Sequence, residues 1–166
     1  MGLFNFIKNA GAKVFGSGKE TKQQTAKVEG DNGAREREEN DKAARKLEET
    51  IRDLKLQVDN LRIDIEGEMA TVKGRALNQS TREKVVLVVG NVEGISQVSD
   101  NMEVENKEPE AVFHTVETGD TLSKIAKQHY GNANKYPEIF EANKPMLSHP
   151  DKIYPGQVLR IPAQKN

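Results

Sequence analysis

The chain has no cysteine and no tryptophan, and aromatic side chains make up only 5% of its 166 residues. Without cysteine, disulfides, thiol nucleophiles and thiolate metal sites are excluded. The histidines that remain as ligands for a transition metal, His114, His129 and His149, fit no HExxH spacing, so a zinc centre is not expected. The missing tryptophan removes the side chain that offers a sugar its largest apolar platform. Charge of one sign is lacking too: 25 Lys and Arg against 26 Asp and Glu leave a formal charge of -1. The two signs interleave along the chain instead of forming a basic stripe, which argues against nucleic acid as a partner. No window approaches the roughly 18 apolar residues of a membrane-spanning helix, so no integral membrane segment is expected. The opening MGLFNFIKNAGAKVFGSG lacks the basic start, apolar run and cleavage site of an export signal. The resulting expectation is a cytoplasmic protein.

What is present divides the chain into short punctuated segments. Leu3, Ile7, Ala10 and Val14 recur at helical spacing, which predicts an amphipathic helix over residues 1–16, stopped by Gly16-Ser17-Gly18. Its apolar face would dock on a neighbouring module or, as a weaker alternative, on a membrane surface. Residues 17–39 carry alternating charges, with Val28 as the one large apolar side chain, and read as a polar spacer. Residues 40–105 follow as a first module. Ala43, Ala44, Leu47, Ile51, Leu54 and Val58 form the stripe of a helix. Leu61, Ile63 and Ile65, then Ala70 and Val72, alternate with polar residues around Gly67 as a hairpin with one apolar face. Asn78 or Ser80 can cap a helix carrying Val85 to Val89 and ending at Gly90, and Ile95 to Val104 reads as a third strand.

A polar joint, 106–111, leads to the module 112–162. Val112, His114 and Val116 alternate as a strand, Asp120 is placed to cap a helix with Leu122, Ile125, Ala126 and His129 on its inner face, and Gly131 can close that helix. Pro137 suits the start of a second helix that buries Ile139 and Phe140. Pro155-Gly156 suits the centre of a type II turn, which delivers Gln157 to Ile161 as a last strand. The fold class is therefore α+β: an αββαβ module followed by a βααβ module, preceded by a short amphipathic helix. No nucleophile with a base, reasoned carboxylate pair or phosphate-cradling loop is present, so the chain is expected to be a binding protein and not an enzyme.

The run His114-Thr-Val-Glu-Thr-Gly-Asp-Thr-Leu-Ser-Lys-Ile-Ala126, with Tyr130-Gly131 and the ending Ile153-Tyr-Pro-Gly-Gln-Val-Leu-Arg-Ile-Pro162, closely resembles a LysM domain. Residues 40–105, with glycines at 67, 74, 90 and 94, resemble a BON domain. Together, behind Met-Gly-Leu-Phe-Asn-Phe-Ile-Lys, they resemble the bacterial cytoplasmic potassium-binding proteins built from these two modules. That resemblance implies a K+ sensor or buffer, monomeric, whose ion is held by main-chain oxygens of Ile7, Ala10, Gly90, Val92 and Ile95, with ion-linked compaction of the modules. Such a site leaves almost no sequence motif, because any residue supplies a carbonyl. Potassium is large and weakly polarising and suits several neutral carbonyl oxygens, whereas clustered carboxylates suit calcium or magnesium. The LysM resemblance alone implies a different partner: peptidoglycan or another N-acetylglucosamine polymer, or a docked protein. The same residues also have plain structural roles. Ile7 and Val92 fit a core, Gly90 and Gly94 fit caps and turns, and Asp120 fits a helix cap.

Overall fold

The apolar stripe of the first module is carried by α1 (Glu29–Asp53), whose Ala43, Ala44, Leu47 and Ile51 are buried. In the computed structural model, which describes residues 2–6, 12–13 and 29–163, this helix begins well before that stripe. Part of the expected polar spacer is thus helical. Its side chains from Arg35 to Glu39 stand in water, are good helix formers, and are supported by pairs such as Lys42–Glu38 at 3.2 Å. At its other end α1 stops at Asp53 and does not reach Val58. Lys55 turns to φ 61 and the Leu56 N–H returns to the Ile51 carbonyl at 3.2 Å, so Val58 opens a strand instead.

That strand is β3, when the two short N-terminal strands β1 (Gly2–Asn5) and β2 (Ala12–Lys13) are counted first. β3 (Val58–Glu66) and β4 (Met69–Asn78) form the expected antiparallel hairpin around Gly67, with Leu61, Ile63, Ala70, Val72 and Ala76 on the buried face. β4 does not end at Gly74 but passes through it. Gly74 has φ 139, and a Cβ there would stand 2.7 Å from Val58 Cγ1 and 3.0 Å from the Asp59 carbonyl oxygen. The opposing strand shifts register between Asp59 and Arg62, so glycine permits the close approach at this irregularity. α2 (Gln79–Gly90) then crosses to β6 (Gln97–Asn106), which lies parallel to β4, and supplies the crossover that parallel neighbours require. Asn78 caps α2 by accepting the Thr81 N–H at 2.8 Å. Four strands order as β1-β6-β4-β3, with α1 and α2 packed against the sheet over one core that includes Leu47, Ile51, Ile63, Val72, Val85, Leu87 and Ile95.

The N-terminus differs from the expected helix. Residues 2–5 are a strand, antiparallel to Gln97–Asp100 of β6. Two periodicities compete in Leu3-Phe4-Asn5-Phe6, and the period of two wins: Leu3 and Asn5 are exposed, Phe4 is half-buried and Phe6 is buried. Pairing here covers a β6 edge that would otherwise present unpaired backbone groups. The helical positions Ile7, Ala10 and Val14 lie outside the described residues.

The second module has a two-stranded antiparallel sheet, β7 (Val112–Thr115) with β8 (Val158–Ile161). Between them run α3 (Leu122–Tyr130), one turn of 3-10 helix and α4 (Tyr136–Ala142), which enclose Val116, Leu122, Ile125, Ala126, Ile139, Leu147, Leu159 and Ile161. Gly131 closes α3 at φ 74 and Gly156 sits at φ 89 in the turn before β8, as their neighbours in sequence require. Asp120 does not cap α3. Thr121 does, accepting the Lys124 N–H at 3.1 Å, while Asp120 accepts the Glu117 N–H at 2.9 Å and closes the preceding turn. The modules meet along α2 and β8: Val158 is buried within the first module's core, and Phe4 and Phe113 bring their rings to 5.1 Å. Among the described residues no helix is long and apolar enough to cross a membrane.

Candidate functional site

The chain leaves α2 through Gly90 and reaches β6 through the bend Asn91 to Ser96, which holds the two-residue strand β5 (Val92–Glu93). Gly94 stands at φ 101, and the Ile95 N–H donates to the Val92 carbonyl at 3.2 Å, closing a turn whose third residue has the positive φ that glycine tolerates. Val92 is 6% exposed and Ile95 fully buried, both in the first module's core. Gly90 has no side chain and is buried. At three predicted positions, then, the inward side chains are apolar or absent, and the polar atoms left to meet a ligand are those of the peptide groups.

The N-terminal segment is fastened to this bend at two points. Before it, the Phe6 N–H donates to the Ser96 carbonyl at 2.8 Å. Beyond it, β2 lies parallel to β5, with Ala12 opposite Val92 and Lys13 opposite Glu93. Phe6 also explains Gly90: a Cβ at that position would fall 2.1–2.3 Å from three carbons of the phenyl ring. Gly90 is therefore both the end of a helix and the floor on which Phe6 rests. Ile7 and Ala10 lie outside the described residues, between these two points of attachment in sequence.

Chemically, the bend offers neutral dipoles. A helix C-terminus turns carbonyls and a partial negative charge toward the chain that follows. A carbonyl has two lone pairs, so the Val92 oxygen that accepts the Ile95 N–H keeps capacity for a second partner. Among the described residues no group of three or more His, Asp or Glu side chains is placed to hold a metal. The nearest approach to one is a hydrogen-bonded row: Asp120 Oδ2 lies 3.2 Å from His114 Nε2, and His114 Nδ1 lies 3.0 Å from His129 Nε2. Both nitrogens of His114 face protein partners, so the row is structural. Burial, and then the charge of His114, lowers the pKa of His129, while the Glu117 N–H lowers that of Asp120.

Sequence reasoning missed three participants at this end of the molecule. Phe6 was hidden by the helical reading of its neighbourhood. Asn91 looks like an ordinary residue after a helix, yet its side chain crosses to the second module, donating from Nδ2 to the Val158 carbonyl and accepting the Val158 N–H at Oδ1, both at 2.9 Å. Glu83 is buried on α2 against Arg160 of β8. A cleft of ≈ 330 Å³ beside that pair is lined by Phe4, Gln79, Arg82, Glu83, Asp100 and Phe113 among others; of the described ion-site candidates, Gly90, Val92 and Ile95 are not among its lining.

Residues 40–106 match the BON domain model and residues 114–162 match the LysM domain model. Both are non-catalytic domains. Over 165 residues, 99% of this chain and all of the relative, the sequence is 44% identical to the potassium binding protein Kbp of Escherichia coli O6:H1. An uncharacterized protein of Deinococcus radiodurans is 50% identical over 50 residues, which are 30% of this chain and 19% of that one.

Proposed function

The chain belongs to the family of BON–LysM proteins that includes Kbp, and from that premise we propose that it binds potassium selectively and acts as a cytoplasmic K+ sensor or buffer. The observation that carries this reading is the full-length match to a potassium binding protein. The ligands in this proposal are the main-chain oxygens of Ile7, Ala10, Gly90, Val92 and Ile95. Supporting them, the bend from Gly90 to Ile95 presents peptide groups over an apolar floor, and the N-terminal segment is anchored to it on both sides of Ile7 and Ala10. Neutral oxygens replace the loosely held hydration shell of K+ at little cost, whereas Mg2+ gives up its water reluctantly. An ion that binds only the closed arrangement stabilises it by linkage, so the modules of this monomer are drawn together as potassium rises. Calorimetric titration with potassium and, separately, sodium tests the proposal. A saturable heat with potassium alone is expected; equal, near-zero heats would sink it.

A second reading attaches to the C-terminal module. The LysM match supports a glycan of the N-acetylglucosamine type, such as peptidoglycan, or a protein partner at that surface. Retention on immobilised muropeptides compared with capture of cytosolic proteins separates the two.

A further inference from the structure

The free edge of β8 is satisfied by two asparagine amides. On one side β8 pairs with β7. On the other, Asn143, fully buried in the second module, donates to the Arg160 carbonyl and accepts the Arg160 N–H, each at 2.9 Å. Asn91 does the same for Val158 from the first module, with both contacts at 2.9 Å. Asparagine is suited to this because its amide carries a donor and an acceptor in one plane, as a neighbouring strand would. The Asn91 backbone is fixed at the same time: its N–H donates to the Leu87 carbonyl at 2.9 Å, and it lies between Gly90 and Val92 in the bend.

We infer that Asn91 couples the state of the Gly90–Ile95 bend to docking of the LysM module, which rests on the ion-binding reading given above. Its side chain is not an ion ligand; it is a positioning residue. An ion that draws the Gly90 carbonyl inward sets the peptide plane that precedes Asn91, since that carbonyl and the Asn91 N–H share one rigid unit, and with it the direction in which the Asn91 amide faces β8. Occupancy of the bend and pairing at Val158 are thus two readings of one backbone conformation. Thermodynamic reciprocity follows: whatever factor potassium adds to docking, docking adds to potassium affinity.

The test uses the full chain and potassium chloride, with Asn91→Ala as the variant and Asn91→Ser as a second should the first lack a cooperative thermal transition. Two quantities are read: the potassium heat, and amide hydrogen exchange at Val158 and Arg160 with and without potassium. In the unaltered protein potassium is expected to slow exchange at both amides about tenfold, within the range typical of coupled sites. In the variant the heat persists with affinity weakened by about the same factor, and the potassium effect on exchange disappears. A merely structural amide would change exchange equally with and without the ion. Unchanged affinity and an unchanged potassium effect in the variant overturn the coupling while leaving ion binding intact. No potassium heat in the unaltered protein overturns the ion-binding reading and the coupling with it.

Discussion

Glu83 of α2 and Arg160 of β8 form an ion pair across the junction of the two modules, with Arg160 Nη2 2.7 Å and Nε 3.2 Å from the same carboxylate oxygen. The two residues are 5% and 7% exposed. Further hydrogen bonds surround the pair: the other carboxylate oxygen accepts the Ala111 N–H at 2.9 Å and Gln79 Nε2 at 3.3 Å, and Arg160 Nη1 donates to the Ala142 carbonyl at 3.2 Å. The pair therefore ties together α2, the joint between the modules, and the second module's last strand. Only with such further partners does a buried pair recover its desolvation cost.

Glu83→Ala should destabilise the protein by about 3–5 kcal/mol, because it strands a guanidinium in the interior together with the Ala111 N–H. Replacing both partners, Glu83→Leu with Arg160→Met, should cost less than the single change, since no charge is left unpaired. Urea unfolding of the three proteins measures this. A double variant as unstable as Glu83→Ala would show that the hydrogen bonds to Ala111 and Ala142 matter more than the charge.

Much of the fold was legible because its boundaries are local. Gly67, Asn78, Gly131, Pro137 and Gly156 each act within a few residues, and each sits at the turn, cap or helix start that its chemistry suggests. The N-terminus was not, because Leu3 and Phe4 satisfy a helical stripe as well as a strand, and the decision rests with a distant β6 edge. The α1 start was missed for a related reason: helix propensity without an apolar face gives no periodic signal. At the candidate site, Gly90 and Gly94 were visible as glycines, but the phenyl ring that makes Gly90 necessary comes from residue 6, and the partner of Asn91 from residue 158. Long-range partners of this kind leave no trace in spacing.

Gly90→Ala places a methyl group inside the space of the Phe6 ring, with three contacts of 2.1–2.3 Å. Overpacking of this kind costs about 1–3 kcal/mol. The ring is the far end of a side chain, so Phe6 can be pushed off the bend, and the variant should also bind potassium more weakly. Combining it with Phe6→Ala should cost less than the sum of the two single changes, because the clash is then gone. Denaturation of the four proteins in a double-mutant cycle measures the coupling; strict additivity would mean that ring and glycine do not press on one another.

Two other glycines separate backbone strain from steric contact. Gly67, at φ 61, has nothing within 4 Å of the point where an alanine methyl would stand, whereas Gly74, at φ 139, has Val58, Asp59 and Leu61 within 3.2 Å. Gly67→Ala should cost roughly 1–2 kcal/mol for its left-handed conformation alone. Gly74→Ala should cost more, since the nearby Asp59 and Leu61 atoms are backbone and cannot swing away. Melting temperatures of the two variants rank them, and a milder effect at Gly74 would mean that the register shift absorbs the methyl group.

Acid should weaken the fold through His129. Its pKa in the folded protein lies below the ordinary 6.5 because burial and His114 oppose its charge. In the unfolded chain it takes up a proton as pH falls through 6.5, which the folded chain refuses until lower pH, so the unfolded state binds more protons and stability declines across that window. Asp120, held below its ordinary 3.8 by the Glu117 N–H, acts at lower pH: its contribution is present above 3.8 and is lost as pH falls through the folded value. Stability measured from about pH 7.5 to 5 should fall, and His129→Gln should flatten that decline while leaving the more acidic loss in place. An unaltered slope in the variant would assign the decline to another group.

Potassium should raise the melting temperature, and sodium at equal ionic strength should not. A ligand that binds only the folded state at a concentration about 100 times its Kd adds about 2.7 kcal/mol. For a chain of this size each kcal/mol moves the midpoint by about 2–4 °C, so saturating potassium should shift it by roughly 5–10 °C. The shift should grow logarithmically with potassium beyond the Kd, a dependence that charge screening does not produce. In Gly90→Ala the curve should move to higher potassium, because Phe6 no longer seats on the bend and the carbonyls of Gly90 and Val92 are no longer held in place. Equal midpoints in potassium and sodium at every concentration would mean that the bend of residues 90–95 takes no ion in preference to another, and that the apolar seat beneath it serves packing alone.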